Sequence, residues 1–452
     1  MGCHFEVPAS DLRDSLVVPV YRARGVLKSL RETCETRRLG EIAELSSGTY
    51  VKRYSGTHQG LPYLRVDNVR ELACNLTTQD LKYVSRRDPS INRRVSVVAG
   101  DVLLSRTGTI GKVALACGPI LGSILSQHVT RVSSLDSDFD AAYLATFLCS
   151  SLGKSQLLAG AYGSTRPELT HQSLSRIEIP LLDSGVQKTI RGLLVAPLEE
   201  YYEAASRIQE AICAYEALFR KHPIANERAA FETEGIEDLW TPRANRPEFL
   251  SEIRRLKDSF SCGKLGTLAS VERGRGTRVS EYASEGVPFV RTTDIINFGI
   301  DPFPDHYANE SIYGELSQHV QQRDILCSIE GKIGCVALLS NEDDCVFKNH
   351  IERIRSFGDV PSEQIFLHLA SVSGQTQIEA LTVVQSTLPG LANRMRQILI
   401  PMRPIGRDGH FEETIENAIG LISGALPLRD RAIRKLREAR RTLSHALAEL
   451  AA

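Results

Sequence analysis

Long uninterrupted apolar runs are missing from these 452 residues, so no stretch reads as a membrane span. The opening MGCHFEVPASDLRD has acidic residues where a secretory leader is basic, and no two of the ten cysteines form a Cys-x-x-Cys pair. Reduced thiols and a cytoplasmic location are the expectation. The cluster Cys327, Cys335, Cys345 and His350 matches no standard zinc spacing, and no metal is expected there. Excess charge is lacking too: the net charge of −1 excludes polyanion binding through overall charge, although local basic loops remain able to meet DNA. There is no GxxxxGK[ST] phosphate loop and no Asn/Asp-Pro-Pro-aromatic tetrapeptide of an amino-methyltransferase. No cofactor of its own is therefore expected.

What is present is a repeat. Arg38-Leu39-Gly40 returns as Lys264-Leu265-Gly266, and Gly60-Leu61-Pro62-Tyr63-Leu64-Arg65 as Gly286-Val287-Pro288-Phe289-Val290-Arg291, both displaced by 226 positions. Asp101-Val102-Leu103-Leu104-Ser105 matches Asp324-Ile325-Leu326-Cys327-Ser328 at a displacement of 223, and the GTIGKVAL and GKIGCVAL blocks keep that spacing. Ser126-Gln127-His128 pairs with Lys348-Asn349-His350, and Ile177-Glu178-Ile179-Pro180 with Ile398-Leu399-Ile400-Pro401. Collinear blocks of this number make each half one copy of a single fold, and residues 1 to 226 are expected to fold alone.

Within each copy, short apolar stretches separated by Gly, Pro, Asn and Asp give a strand-and-turn pattern. Tyr143 to Leu158 and Gln364 to Leu381 have helical spacing, so the class is α+β. Two long helices follow. Ile190, Leu194, Pro197, Tyr201, Ala204, Ile208, Ala211, Tyr215 and Leu218 fall at steps of four and three. So do Ile415, Ile419, Ile422, Leu426, Arg429, Ile433, Leu436, Arg440, Leu443, Leu447 and Leu450. Such spacing is a heptad seam against a partner helix. The expected organisation is a helical segment (1–36), a first recognition unit (37–182), a long helix (183–222), a linker with helix (223–262), a second unit (263–404) and a second long helix (405–452).

Sequence reading of DNA needs cations for phosphates and Arg, Lys, Asn, Gln, Ser or Thr for base edges. Loops between strands supply Tyr50, Lys52, Arg53, Arg86, Arg87, Arg93, Arg94, Arg106, Thr107, Thr109, Lys112 and Arg166 in copy one. Copy two supplies Arg273, Arg275, Thr277, Arg278, Lys332 and Asn349. Arg65 and Arg291, kept in both copies, read as structural ion-pair formers. Two other classes remain open. A metal nuclease would use Asp324, Glu330 and Lys332, but the aligned hairpin of copy one has Thr107 where Glu330 stands. A scaffold without DNA contact would suit the neutral charge and the heptads.

The LG start, the G-x-P-Y/F-x-R strand, the GD-x-L-L-S-R-x-G-T-I-G-K hairpin, the N/Q-H strand, the I-x-I-P close and the Gln187-Lys188-x-Ile190 helix opening together resemble the S subunit of type I restriction-modification systems, twice over. The resemblance implies two target recognition domains, an antiparallel coiled coil that sets their separation, and no catalysis in this chain. It also implies double-stranded DNA, two methyltransferase subunits and restriction/helicase subunits as partners, which would carry S-adenosylmethionine, ATP and magnesium. Copy two lacks the glutamine opening and has Arg323 in place of the glycine before the aspartate, and the segments before each unit are long, so a related defence system is a second possibility.

Overall fold

The computed structural model describes residues 18–56, 60–77, 80–91, 94–133, 135–162, 167–220, 246–276, 282–283, 285–309, 313–315, 318–385, 388–406 and 409–451. They form two compact units, and the boundary does not fall at residue 226. Unit 1 is Met1–Tyr202 together with Ala432–Ala452, and unit 2 is Glu203–Arg431. The first unit thus takes in residues far beyond the first half of the sequence.

In unit 1, α1 (Val18–Thr33) precedes β1 (Thr36–Arg38) and the single turn α2 (Leu39–Ile42). Next come β2 (Glu44–Ser47), β3 (Leu61–Leu64), β4 (Lys82–Val84), β5 (Val102–Ser105), β6 (Val113–Leu115), β7 (Ile124–Leu125) and β8 (Val129–Ser133). They build a four-stranded sheet of order β2-β8-β5-β6 and a three-stranded sheet β4-β3-β7 in which β3 and β7 are parallel. Every residue of β5 and β6 is buried, which suits their continuous apolar sequence. α3 (Ala141–Cys149) packs on β5 and β6, α4 (Ser151–Ala159) packs on α3 and α1, α5 (His171–Ser175) follows, and β9 (Glu178–Pro180) returns to pair with β1.

The stretch read as one helix from Tyr143 to Leu158 is two. Ser150 sits at the junction with extended ψ, donating through Oγ to Phe147 O (2.6 Å) and accepting from Gly153 N (3.1 Å). A Cβ on Gly153 would lie 2.2 Å from Phe147 O, so only glycine permits the turn.

α6 (Ser184–Arg220) begins in unit 1, where buried Gln187 accepts from Asp140 N (2.8 Å) and donates to Asp138 O and Leu182 O (2.9 Å each). These bonds pin the helix start to the recognition unit. Its buried positions in this unit include Gln187, Ile190, Leu194, Pro197, Leu198, Tyr201 and Tyr202, and Ala432–Ala452 of the last helix belong to the same unit. Arg440 Nη1 meets buried Glu71 at 2.8 Å, and Lys154 holds the same carboxylate. Ser29 and Thr33 of α1 donate to the terminal carbonyls of Ala451 (3.1 Å) and Leu450 (2.7 Å), capping the helix end.

Unit 2 has α7 (Pro247–Ser259), β10 (Phe260–Lys264), the single turn α8 (Leu265–Leu268) and β11 (Ala269–Arg273). The strands β12 (Tyr282–Ala283), β13 (Val287–Val290), β14 (Ile295–Ile296), β15 (Gly299–Ile300), β16 (Tyr307–Ala308), β17 (Ile325–Ser328), β18 (Val336–Leu338), β19 (Val346–Phe347) and β20 (Ile351–Ser356) follow. Sheet orders are β11-β20-β17-β18 and β12-β16-β13-β19, with β13 and β19 parallel. Then come α9 (Ser362–Ala370), α10 (Val372–Leu381), the hairpin β21 (Val383–Gln385) and β22 (Leu388–Gly390), β23 (Leu399–Pro404) paired with β10, and α11 (Gly409–Ala451). The Gln364-to-Leu381 stretch also breaks, with Ser371 Oγ donating to His368 O (2.7 Å) and Gly374 allowing the turn. Arg323 takes the place of Gly100 with the same left-handed backbone (φ +70° and +84°), and its side chain pairs with buried Glu363 at 3.0 Å. The β17 hairpin thus keeps its start without the glycine.

One apolar core in unit 2 takes in Ala204, Ile208, Ala211, Tyr215 and Leu218 from α6 and Phe411, Ile415, Ala418, Ile422, Ala425 and Leu426 from α11. The two helices touch there, since a Cβ on Gly424 would stand 3.5 Å from Arg207 Nη1. The seam of α11 runs through Phe411, Ile415, Ala418, Ile422, Ala425, Arg429, Ala432, Leu436, Ala439 and Leu443, all buried. Ile419, expected in the seam, is only half-buried and flanks it. Alanine is too small to mark a stripe by hydrophobicity, so the sequence pattern slid one residue toward larger neighbours. Tyr215 also bonds buried His368 (3.1 Å), so the stripe of α6 serves the domain core of unit 2. Among the described residues no helix is long and apolar enough to cross a membrane.

Candidate nucleic-acid interface

In each unit the hairpin that joins β5 to β6, or β17 to β18, ends in a tight, polar tip. Gly108 and Gly331 both have φ +73°, and Gly111 and Gly334 have +80° and +84°, conformations open to glycine and strained for other residues. Ser105 Oγ accepts from Lys112 N at 3.0 Å as Ser328 Oγ accepts from Cys335 N at 2.8 Å.

Around the first tip lies an open cleft of about 430 Å³ lined by Tyr50, Tyr54, Tyr63, Arg65, Thr107, Thr109, Gln127 and His128, among others. Tyr50 and Tyr54 are exposed, and Tyr54 leans on the buried Tyr63 ring at 5.9 Å. Tyr63 is fixed by donating to Thr49 O (2.7 Å). Aromatic faces beside amide, hydroxyl and imidazole groups are the equipment with which proteins contact bases. Tyr54, Tyr63, Gln127 and His128 were not among the expected site residues; the tyrosine spacing around the first variable loop was the available signal.

Arg106 leaves the hairpin to donate to Ser47 Oγ (2.8 Å) and Glu168 (2.5 Å), while Ser47 meets His171 Nε2 at 3.0 Å. The Arg106 guanidinium lowers the Glu168 carboxyl below its ordinary range, chiefly through that hydrogen bond. Burial lowers the pKa of His171. In unit 2, Arg273 bonds Glu330 and Asn349 O (2.6 Å), and His350 Nε2 stands 3.3 Å from the other Glu330 oxygen. Arg275 donates to Glu315 O (3.2 Å).

Of the expected DNA contacts, Lys52, Arg53, Arg86, Arg87, Arg94, Thr109 and Arg275 lie exposed on loops with Tyr50, and Arg106, Lys332 and Asn349 are half-buried. Thr107 and Lys112 are buried within the hairpin, which takes them off the accessible surface. Arg93, Arg166, Thr277 and Arg278 lie outside the described residues. Arg65 and Arg291 are braces, Arg291 gripping Asp294 and, at 2.7 Å, Asp305.

The three residues of the nuclease alternative are not gathered. Asp324 is buried ahead of β17 with both oxygens on Arg355 (2.7 Å each), whereas Glu330 lies beyond the strand's other end. Among the described residues no group of three or more His, Cys, Asp or Glu side chains is placed to hold a metal, and Cys327, Cys335 and Cys345 are individually buried.

Glu352, opposite Arg273 in the sheet, is buried, and its Oε2 has no hydrogen-bond partner among the described residues. Burial raises its carboxyl from the ordinary 4.5 to about 7, against the pull of Arg396 and Arg273. A carboxyl raised in the fold contributes stability that is complete below pH 4.5 and lost as pH rises through 7. At about 1.4 kcal/mol for each pH step between those two values, unit 2 should lose roughly 3 kcal/mol across that window. Urea unfolding at pH 5 and pH 8 should show this slope in the natural chain and a flatter one in Glu352→Gln. Equal slopes would count against it.

Residues 31–195 match the family model described as the type I restriction modification DNA specificity domain. No curated protein matches the chain. Among solved structures, similar chains include the S subunit of the type I restriction-modification system from M. genitalium (15% identity, 91% of this chain and 95% of that one, TM-score 0.39). Another is the HsdS subunit from Thermoanaerobacter tengcongensis (16% identity, 92% and 96%, TM-score 0.30). The polar-tipped hairpin of unit 1 and its aromatic cleft lie inside the segment, residues 31–195, that is similar to the type I restriction modification DNA specificity domain.

Proposed function

We propose that this chain is a non-catalytic DNA specificity subunit whose two modules are copies of one fold, each reading one half of a bipartite duplex sequence. The observation that carries it is the recurrence of one hairpin tip in both units with different side chains upon it: Arg106 and Thr109 in the first, Glu330 and Lys332 in the second. A common scaffold with unlike readers suits two unlike half-sites. The long helices, 37 and 43 residues, pair as an antiparallel coiled coil whose length sets the gap. Two methyltransferase subunits, and restriction/helicase subunits with them, bring S-adenosylmethionine, ATP and magnesium, and the assembly works in the cytoplasm. The dispersed Asp324, Glu330 and Lys332 favour no nuclease reading.

Selection of duplexes from a random library should return two conserved blocks with an unconserved spacer. Inserting seven residues into both helices at matching seam positions keeps the stripe in register and adds about 10 Å of helix. The spacer should lengthen by up to about three base pairs at ~3.4 Å each, with the blocks unchanged. A single block, or no sequence preference, would sink the proposal.

A further inference from the structure

The hairpin tips share one backbone frame. Arg106 N donates to His128 O (3.0 Å) and Ile329 N to His350 O (2.9 Å). Leu169 N donates to Arg106 O and Leu391 N to Ile329 O, both at 2.9 Å, and Thr107 and Glu330 form equivalent bridges to Glu168 and Gly390. On this frame each module carries a guanidinium–carboxylate pair at the same place, yet no charged position is shared. In the first module the cation is Arg106 on the hairpin, and the anion is Glu168 on the arm behind it. In the second the cation is Arg273, at the strand position of Ser47, and the anion is Glu330, at the position of Thr107. Ile329 and Gly390 stand where Arg106 and Glu168 would be.

The backbone frame therefore forms with either set, so neither set is required to build it. What recurs is the chemistry at that spot. Both pairs are partly open, with side-chain exposures of 22% and 31% in the first module and 44% and 24% in the second. A guanidinium has five donors and a carboxylate about four acceptor sites, so a pair bonded to itself keeps capacity for a ligand. In the major groove, guanine offers the adjacent acceptors O6 and N7 that a guanidinium takes bidentately, and its partner cytosine offers the N4 donor that a carboxylate accepts.

We infer that each pair, Arg106 with Glu168 and Arg273 with Glu330, reads one C·G base pair in the half-site of its module. The inference rests on the DNA-specificity reading. Sequence variation between the modules then lies in which flank of the tip supplies the carboxylate: the arm in the first, the hairpin in the second.

The test selects duplexes with the full-length chain, alone and with methyltransferase subunits, then measures binding to every single-base-pair change. Each half-site should contain a C·G pair whose discrimination falls about tenfold to a hundredfold in one variant only. Glu330→Gln should relax it in one block and Glu168→Gln in the other, with melting behaviour retained. Glu330→Thr, which installs the residue that the same hairpin carries at Thr107, guards against a folding failure and should relax the same position. Replacing that guanine by 7-deazaguanine should remove the preference that remains in Glu330→Gln. A bipartite site with no C·G pair sensitive to either variant, or variants that weaken every duplex equally, would overturn the inference while leaving the bipartite reading intact. A natural chain without any bipartite preference would overturn the reading instead.

Discussion

Replacing Arg429 by alanine should destabilise unit 2 by about 3–5 kcal/mol, the usual loss when one partner of a buried ion pair is removed. Arg429 occupies a seam position of α11 and is 1% exposed. Its Nη2 lies 2.7 Å from Asp343 Oδ2 and 2.7 Å from Leu338 O, and its Nη1 is 3.2 Å from Phe298 O. Among the described residues Asp343 would keep Ser340, whose N and Oγ reach it at 2.7 and 2.8 Å, and its buried carboxyl would have lost its cation. Changing both partners, Arg429→Met with Asp343→Leu, should lose much less, because no orphaned charge is left behind. Urea unfolding monitored through unit 2 distinguishes the two. A single-alanine variant within 1 kcal/mol of the natural chain would show that the pair does not anchor the helix.

Deleting Ala432–Ala452 should unfold the first module and spare the second. Those residues belong to unit 1, where Ile433, Leu436, Leu443 and Leu447 are buried. At about 1.5–3 kcal/mol for each large aliphatic side chain withdrawn from the core, the loss is roughly 6–12 kcal/mol. That rivals the whole stability of an ordinary domain, about 5–15 kcal/mol. Glu71 also loses Arg440, and α1 loses the carbonyls that Ser29 and Thr33 cap. Hydrogen exchange read by mass spectrometry should show β5 and β6 unprotected in the truncated chain while β17 and β18 stay protected. Unchanged protection of β5 would mean that the first module closes without the last helix.

Much of this was legible in the residues. The offset blocks around Asp101 and Asp324 gave the central hairpins, I-x-I-P gave the closing strands, and the steps of four and three gave both long helices. The misses have identifiable causes. The seam of α11 is built largely on alanines, which hydrophobicity does not pick out. Ser150 and Ser371 break helices by side-chain bonds that look, in sequence, like ordinary helical polar positions. Arg273 was legible as a basic loop residue, but its pairing with Glu330 was not, because the partners are distant in sequence and differ from those of the other copy. Nor could the heptads alone show that unit 1 is completed from the far end of the chain.

That division has a consequence for synthesis. A ribosome releases Tyr202 with the first module's strands already made, but Ala432–Ala452, which belong to the same unit, emerge only after the whole of Glu203–Arg431. At about 5–20 residues per second, the roughly 230 intervening residues take ~11–46 s, during which the first module's core lacks Ile433, Leu436, Leu443 and Leu447. Unit 2, which needs nothing beyond Arg431, can close first, so the module encoded second is the one able to mature earlier. Nascent chains stalled before residue 432 should accordingly recruit holding chaperones through a first module whose core is still incomplete.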